Sequence, residues 1–218
     1  MKIKYLGHAS FLITTANGTR IQFDPYEPGG FNGAIGYGAF TDAADIVVVS
    51  HDHADHGYVA AVPGKPQLVK DADSQDLKGI EFLRHKAYHD IKHGAERGEN
   101  VITVCRADNI AVCHVGDLGH VLSAEDVKAL GKVDVLLVPV GGFFTIDAEA
   151  ATKVMASLSP KICIPMHYKT PKAGFPIAPV DGFLQGKKSV KRLGKSEVEI
   201  SAEDLPRETE IWVLDPAL

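Results

Sequence analysis

The sequence predicts a layered α/β domain, and three observations carry that reading. Continuous apolar stretches such as Ile46–Val49 and Val133–Pro139 are typical of strands in a sheet covered on both faces. Helix-patterned segments with recognisable caps alternate with them. No repeat, low-complexity tract or linker interrupts the 218 residues, so one domain over 1–218 is the simplest expectation.

The elements follow in order. Tyr5–Thr14 reads as a strand, Asn17-Gly18 is a strong hairpin turn, and Arg20–Phe23 returns before Asp24-Pro25 stops it. Residues 26–43 hold Gly29, Gly30, Gly33, Gly36 and Gly38, a density suited to a loop. A phosphate cradle is disfavoured there, because the segment lacks both the G-x-G-x-x-G order and a P-loop lysine. Strand patterns recur at Gln67–Lys70, Ile80–His85, Val101–Arg106 and Ile110–Val115. Ser123 opens a helix, with Asp126 completing a capping box and Gly131 closing it. Asp147 caps an alanine-rich helix reaching Leu158, and Lys161–Pro165 forms the next strand. Gly186–Lys195 is a basic run read as a solvated face or edge strand, and Glu210–Leu214 as a last strand.

Lys and Arg total 23 against 28 Asp and Glu, a net charge of −5, which argues against a nucleic-acid partner. No apolar run approaches the ~20 residues of a membrane span and no signal peptide precedes the first strand pattern. Cys105, Cys113 and Cys163 sit singly in apolar runs without a C-x-x-C pair, so buried free thiols are expected. Together these features predict a cytoplasmic protein. Ten histidines are the unusual count, since imidazole is the commonest metal ligand.

Six consecutive residues concentrate the chemistry: His51, Asp52, His53, Ala54, Asp55 and His56, directly after an apolar strand. Buried without partners, such groups would each cost several kcal/mol, whereas a metal takes neutral imidazole and ionised carboxylate as ligands. In a tight turn from strand to helix, His51 and His53 can converge on one ion while Asp55 and His56 point to a second.

H-x-H-x-D-H after a short apolar strand resembles the hallmark of the metallo-β-lactamase fold, and the rest of the chain follows that family's order. Asp24 matches its first acidic position, His89 its lone histidine, Asp117 its bridging aspartate and His167 its last histidine. Gly7 to Phe11, Gly116 to His120, Pro139 to Thr145 and Pro165 to Tyr168 resemble the compact metal-dependent hydrolases related to the L-ascorbate-6-phosphate lactonase. The resemblance implies a four-layer αββα sandwich with metals at one edge of two sheets. It implies one ion on His51, His53 and His89, a second on Asp55, His56 and His167, and Asp117 between them. Two divalent cations are therefore expected, with Zn²⁺ the default for a thiolate-free, His-rich set and Mn²⁺ or Fe²⁺ the alternatives. His53 stands where diiron oxygen-reducing members commonly carry glutamate, which favours hydrolysis.

The expected activity is hydrolysis of an ester, lactone, amide or phosphoester of a small molecule by a metal-bridging hydroxide. Asp55, Asp117 and His120 are the expected catalytic residues, His120 as a proton donor or phosphate contact, or else a support behind the ligands. Asp24 is expected to orient a ligand, His8 to lie near the metal edge, and Phe143 and Phe144 to wall the pocket or pack in the core. His114 reads as a hydrogen-bonded strand histidine, His85 as a strand-end residue, and His93 as solvated in a polar loop, Ile91–Asn100, that could form a lid. The rival reading is a metal-binding sensor or ligand-binding module that keeps the site without efficient turnover. A homo-oligomer is compatible with everything above.

Overall fold

Two β-sheets stacked face to face form the centre of the protein in a computed structural model that describes residues 1–71 and 73–218. In chain order the strands are β1 (Lys2–Gly7), β2 (Ser10–Thr14), β3 (Arg20–Phe23), β4 (Ile46–Val48), β5 (Gln67–Val69), β6 (Gln75–Leu77) and β7 (Ile80–Tyr88). They continue as β8 (Glu99–Ala107), β9 (Ile110–His114), β10 (Val135–Pro139), β11 (Ile162–Met166), β12 (Val190–Arg192), β13 (Glu197–Glu199) and β14 (Glu210–Val213). The helices are a single turn α1 (Gly30–Gly33), then α2 (Ala124–Leu130), α3 (Ala148–Leu158) and α4 (Asp181–Leu184).

The first sheet runs β13-β1-β2-β3-β4-β5 and the second β12-β14-β11-β10-β9-β8-β7-β6. Phe11, Phe23 and Ile46 from one sheet meet Phe82, Val112, Leu137 and Ile164 from the other in a shared apolar layer. Val154 and Leu158 of α3, Leu130 of α2 and Phe183 of α4 cover the outer face of the second sheet. Cover for the first sheet comes from Tyr26, Ile35, Tyr37, Phe40, Phe175 and Ile177. Four layers are thus present, but this last one is loop and single turns, because its glycines disfavour a long helix.

The Asn17-Gly18 turn joins β2 and β3 as expected, with Phe11 opposite Phe23 and Thr14 opposite Arg20. Tyr5–Thr14 is not one strand. The chain reverses at His8-Ala9, so β1 and β2 pair antiparallel with Ile3 opposite Ile13. Tyr5 and Leu6 before the reversal and Phe11, Leu12 and Ile13 after it are all buried, so hydrophobic pattern runs through the reversal without marking it. The turn from β4 leads into a short 3₁₀ turn, Val59–Ala61, and not into the expected helix. Both cap expectations hold: Ser123 and Asp126 exchange side-chain and main-chain bonds, and Asp147 accepts from Ala150 N.

Residues 186–195 contain edge strand β12, where Lys191 pairs with Glu210 and Arg192 with Asp181. The C-terminal segment laces both sheets: β12 and β14 complete one edge of the second, while β13 adds to β1 at the edge of the first. Cys105, Cys113 and Cys163 are free and buried, and burial raises each thiol to about 12. Among the described residues no helix is long and apolar enough to cross a membrane.

Candidate metal centre

Strand ends build the site. Asp24 follows β3, His51 follows β4 by three residues, His89 follows β7, Asp117 lies just past β9 and His167 follows β11. His8, at the reversal between β1 and β2, joins them. Asp24, His8 and His167 have φ of 40, 55 and 49°, left-handed values that cost non-glycine residues on the order of 1–3 kcal/mol. The bonding around them holds that conformation: His8 O accepts from His167 N at 2.8 Å and from Tyr5 Oη at 3.0 Å.

Asp24 is completely buried and orients two histidines, as expected. Its Oδ1 accepts from Ser50 N at 2.8 Å, and its Oδ2 accepts from Ser50 Oγ at 2.6 Å and His56 Nδ1 at 2.9 Å. Ser50 Oγ, its proton given to Asp24, accepts from His51 Nδ1 at 2.9 Å. One carboxylate therefore fixes Nδ1 as the donor of both rings and turns both Nε2 atoms toward the cluster.

Among the described residues three groups of donors could hold an ion; in one of them, Asp24 with His51 and His56, the carboxylate is already taken up by Ser50 and His56, which leaves two. His51, His53 and His89 form one, and His8, Asp55, His56 and His167 the other, each with donor atoms within 4.8 Å of one another. Asp117 stands between them: Oδ2 lies 3.1 Å from His89 Nε2 and 3.6 Å from His167 Nε2, and Oδ1 lies 3.2 Å from His56 Nε2. His8 Nε2 donates to Asp55 Oδ2 at 3.1 Å. Among the described residues, His8 Nδ1, His56 Nε2, His89 Nδ1, Asp117 Oδ1 and His167 Nδ1 are buried without a hydrogen-bond partner. His56 Nε2 and Asp117 Oδ1 are near but misaligned for a bond to each other. Unsatisfied buried groups each cost about 1–3 kcal/mol, and a divalent cation between the two groups would satisfy His56 Nε2 and Asp117 Oδ1, the two that face each other in the cluster. The residues fit a metal.

Burial is the largest single influence on His51, His167, His56 and Asp117, but it decides only two of them. It holds His51 and His167 down at about 3, with the neighbouring His56 adding to the effect, so both rings are neutral ligands. For His56 burial acts downward, yet Asp117, Asp55 and Asp24 carry it well above the ordinary range. Burial would raise Asp117, and His167 and His56 instead pull it well below. Without metal, a proton on His56 neutralises part of the carboxylate charge; a bound cation takes over that role.

Supports for these ligands come from residues that the sequence pattern did not single out. Asn100 accepts from Asp117 N at 3.0 Å through Oδ1 and donates from Nδ2 to Val115 O at 2.8 Å. Arg84, buried within β7, donates to Val49 O at 2.8 Å and Lys70 O at 2.9 Å, fixing the strand end that leads to His51. Asp90 gathers the 92–97 loop by accepting four main-chain bonds, so Ile91–Asn100 is tethered. Each depends on a partner distant in sequence or on main-chain atoms, so no local motif marks it.

His120 is not brought into the cluster. Its Nε2 accepts from Tyr88 N at 3.3 Å and its Nδ1 donates to Val121 O at 3.0 Å. Both nitrogens are engaged by main chain, so the expected proton donor is instead a brace for the strand that ends at His89. His114 donates to Ala9 O and accepts from Gly116 N, the fully bonded strand histidine expected. His85 lies inside β7 and ties it to α2 through Asp126. His93 is exposed, and Asp52 points away from the ligands to Lys70 at 2.7 Å.

A cavity of about 530 Å³ opens onto His53, Asp55, His89 and Asp117. Phe31, Phe144 and Phe175 form its apolar lining, and Arg97 lines it as well. Phe144 therefore does line the pocket, whereas Phe143 is 64% exposed beside it.

Comparison with known proteins agrees with this geometry. The family described as Beta-lactamase superfamily domain matches residues 2–167, a stretch that contains every ligand above. A UPF0173 metal-dependent hydrolase of Carboxydothermus hydrogenoformans is 31% identical over 196 residues, covering 78% of this chain and 85% of that protein. A crystal structure from Thermotoga maritima, described as a candidate Zn-dependent hydrolase of the metallo-β-lactamase superfamily, superposes with a TM-score of 0.79 at 34% identity and 98% coverage of both chains. Igni18, a metallo hydrolase of Ignicoccus hospitalis, shares the fold with a TM-score of 0.67 at 22% identity, covering 99% of this chain and 95% of its own.

Proposed function

This chain belongs to the metallo-β-lactamase superfamily and is a metal-dependent hydrolase, and from that premise we propose a binuclear enzyme acting on a small-molecule ester, lactone, amide or phosphoester. The observation that carries the proposal is the pair of donor groups meeting at Asp117, where His56 Nε2 and Asp117 Oδ1 are buried without a hydrogen-bond partner. His51, His53 and His89 would hold one ion, and Asp55, His56 and His167 the other, with Zn²⁺ the favoured identity for imidazole and carboxylate donors without thiolate. When bound, the two cations supply a hydroxide from water near neutral pH and positive charge for the oxygen on which charge develops.

The chain's own residues perform the remaining work. Asp117 keeps the two groups together, and Asn100 and the Asp24 relay hold their geometry. Asp55 lines the cavity and its Oδ2 is steadied by His8, so it is placed to take a proton from the attacking water and return it to the leaving group. Phe31, Phe144 and Phe175 exclude water from one side. A cavity of about 530 Å³ suits a small molecule.

Metal analysis of protein purified without chelators should find about two transition-metal ions per chain. Against a panel of lactones, phosphodiesters, thioesters and amides, turnover should rise and fall with metal reloading. Asp117→Ala or His51→Ala should abolish it while the circular dichroism spectrum stays native. Less than one ion per chain, or normal turnover in both variants, removes the proposal. A tight ligand never turned over supports the sensor reading instead.

A further inference from the structure

The charges around the cavity do not cancel evenly. Glu96 lines it, but Lys92 pairs with that carboxylate at 2.6 Å; Asp52 lines it, and Lys70 pairs with it at 2.7 Å. Asp55 and Asp117 face histidines. Arg97 differs from all of these. Among the described residues its guanidinium makes no ion pair, and its one side-chain bond goes from Nη2 to Phe143 O at 3.3 Å. A guanidinium has five N–H donors, so most of its capacity is open.

Arg97 is also held in place. Its main-chain N donates to Asp90 Oδ2 at 2.8 Å, and Asp90 directly follows the ligand His89. The Arg97 backbone is thus tied to the residue next to His89, and the side chain starts from a fixed point beside the candidate centre. It borders a second cavity of about 480 Å³ as well, where Lys70 and Lys86 are engaged by Asp52 and by Glu99 at 3.7 Å. Arg97 is the cation left over on both sides.

The same cavity also has an aromatic lining. Phe175 meets Phe31 and Phe144 edge-on at centroid distances of 5.5 and 5.9 Å. Phe31 is 49% exposed at φ 52°, an unfavourable backbone that presents a large apolar ring to the cavity and to water. The two walls therefore ask for different chemistry in one ligand.

We propose that Arg97 is a specificity-determining residue, and that the substrate is a compact amphipathic anion: an aryl or branched apolar body against Phe31, Phe144 and Phe175, with a carboxylate or phosphate held by Arg97. Guanidinium binds both oxyanions through paired N–H bonds. The hydrolysed bond lies between the two ends, beside His53 and Asp55. This inference rests on the hydrolase reading for the word substrate, but its test does not depend on turnover.

Binding of 3-phenylpropanoate, 2-phenylethylphosphonate and neutral 3-phenylpropanamide to the metal-loaded protein is measured by calorimetry, with metal content verified in every variant. The anions should bind about tenfold more tightly than the amide, the scale of a charge-assisted hydrogen-bonded pair. In Arg97→Gln that ratio should fall to whatever the metals alone confer, and Arg97→Lys should restore only part of it. The better of the two anions identifies the oxyanion. Phe31→Ala, at an exposed position that the fold does not need, should weaken all three probes severalfold.

An anion-to-amide ratio unchanged in Arg97→Gln overturns the proposal, as does failure of both anions to bind the native protein. Unchanged affinities in Phe31→Ala overturn its aromatic half. Arg97-dependent anion binding with no turnover of any panel compound would leave the anion site standing and remove hydrolysis. Turnover of neutral substrates, indifferent to Arg97, would do the reverse.

Discussion

Asp90 follows the candidate ligand His89 and organises the loop on one side of the cavity. It accepts from Lys92, Gly94, Glu96 and Arg97 main-chain N–H groups at 2.7–3.0 Å. Burial pushes its carboxyl up, but those four donors prevail and bring it down to about 2. A carboxyl depressed in the folded state stabilises it when ionised, above the ordinary value of about 4, and that stability is lost as pH falls through about 2. Asp90→Asn removes this titration. Urea midpoints of the variant should be lower than native at pH 7 and should decline less steeply between pH 4 and 2. The sequence left 91–100 open as a lid because Asp90's partners are main-chain atoms, which carry no residue signature.

At the scale of elements, close crossings hold the strand ends in place. A Cβ on Gly119 would lie 2.3 Å from His89 C and Asp90 N, and one on Gly141 2.3 Å from His167 O. Gly119 is also tied to β7 by donating to Tyr88 O at 2.9 Å. Gly119→Ala must therefore push the His89 backbone away. Metal content of that variant should drop to half or less with a native far-ultraviolet spectrum, while Gly182→Ala, whose nearest neighbour is 4.0 Å away, should load fully. The helices at 124–130 and 148–158 were legible because Ser123, Asp126 and Asp147 act within three residues. The reversal at His8 was not, because it depends on a left-handed histidine and on bonds from residues as distant as His167. Edge strands β6 and β13 were also missed, being three residues long and largely polar.

For the molecule as a whole, the site was more legible than its frame. Four of the expected ligands fall within six residues, and the order of the other three matches a known family. The loop layer over the first sheet and the bracing role of His120 required knowing which strands are neighbours. Because the metal-free centre leaves His56 Nε2 and Asp117 Oδ1 buried and unsatisfied, cation binding should stabilise the entire fold. At free metal 100 times Kd the gain is about 2.7 kcal/mol, and at about 2–4 °C per kcal/mol chelation should lower Tm by about 5–10 °C. Scanning calorimetry with and without chelator checks this. Metal affinity should also climb with pH, since the cation displaces the proton that Asp117 and Asp55 keep on His56 against the effect of burial. Competition with a chromogenic chelator between pH 6 and 8 reads the slope.

The lacing of both sheets by β12, β13 and β14 has a consequence in time. During synthesis, at about 5–20 residues per second, every metal ligand has been made before the three strands that close the sheet edges exist. β12 pairs only with β14, so it has no partner in the second sheet until the last strand has been made. The nascent chain thus carries its chemistry before it has finished its frame. Its final pairings join residues far apart in sequence, the slow kind of contact to form. An early-arriving cation would meet ligands on strands whose outer neighbours are still missing.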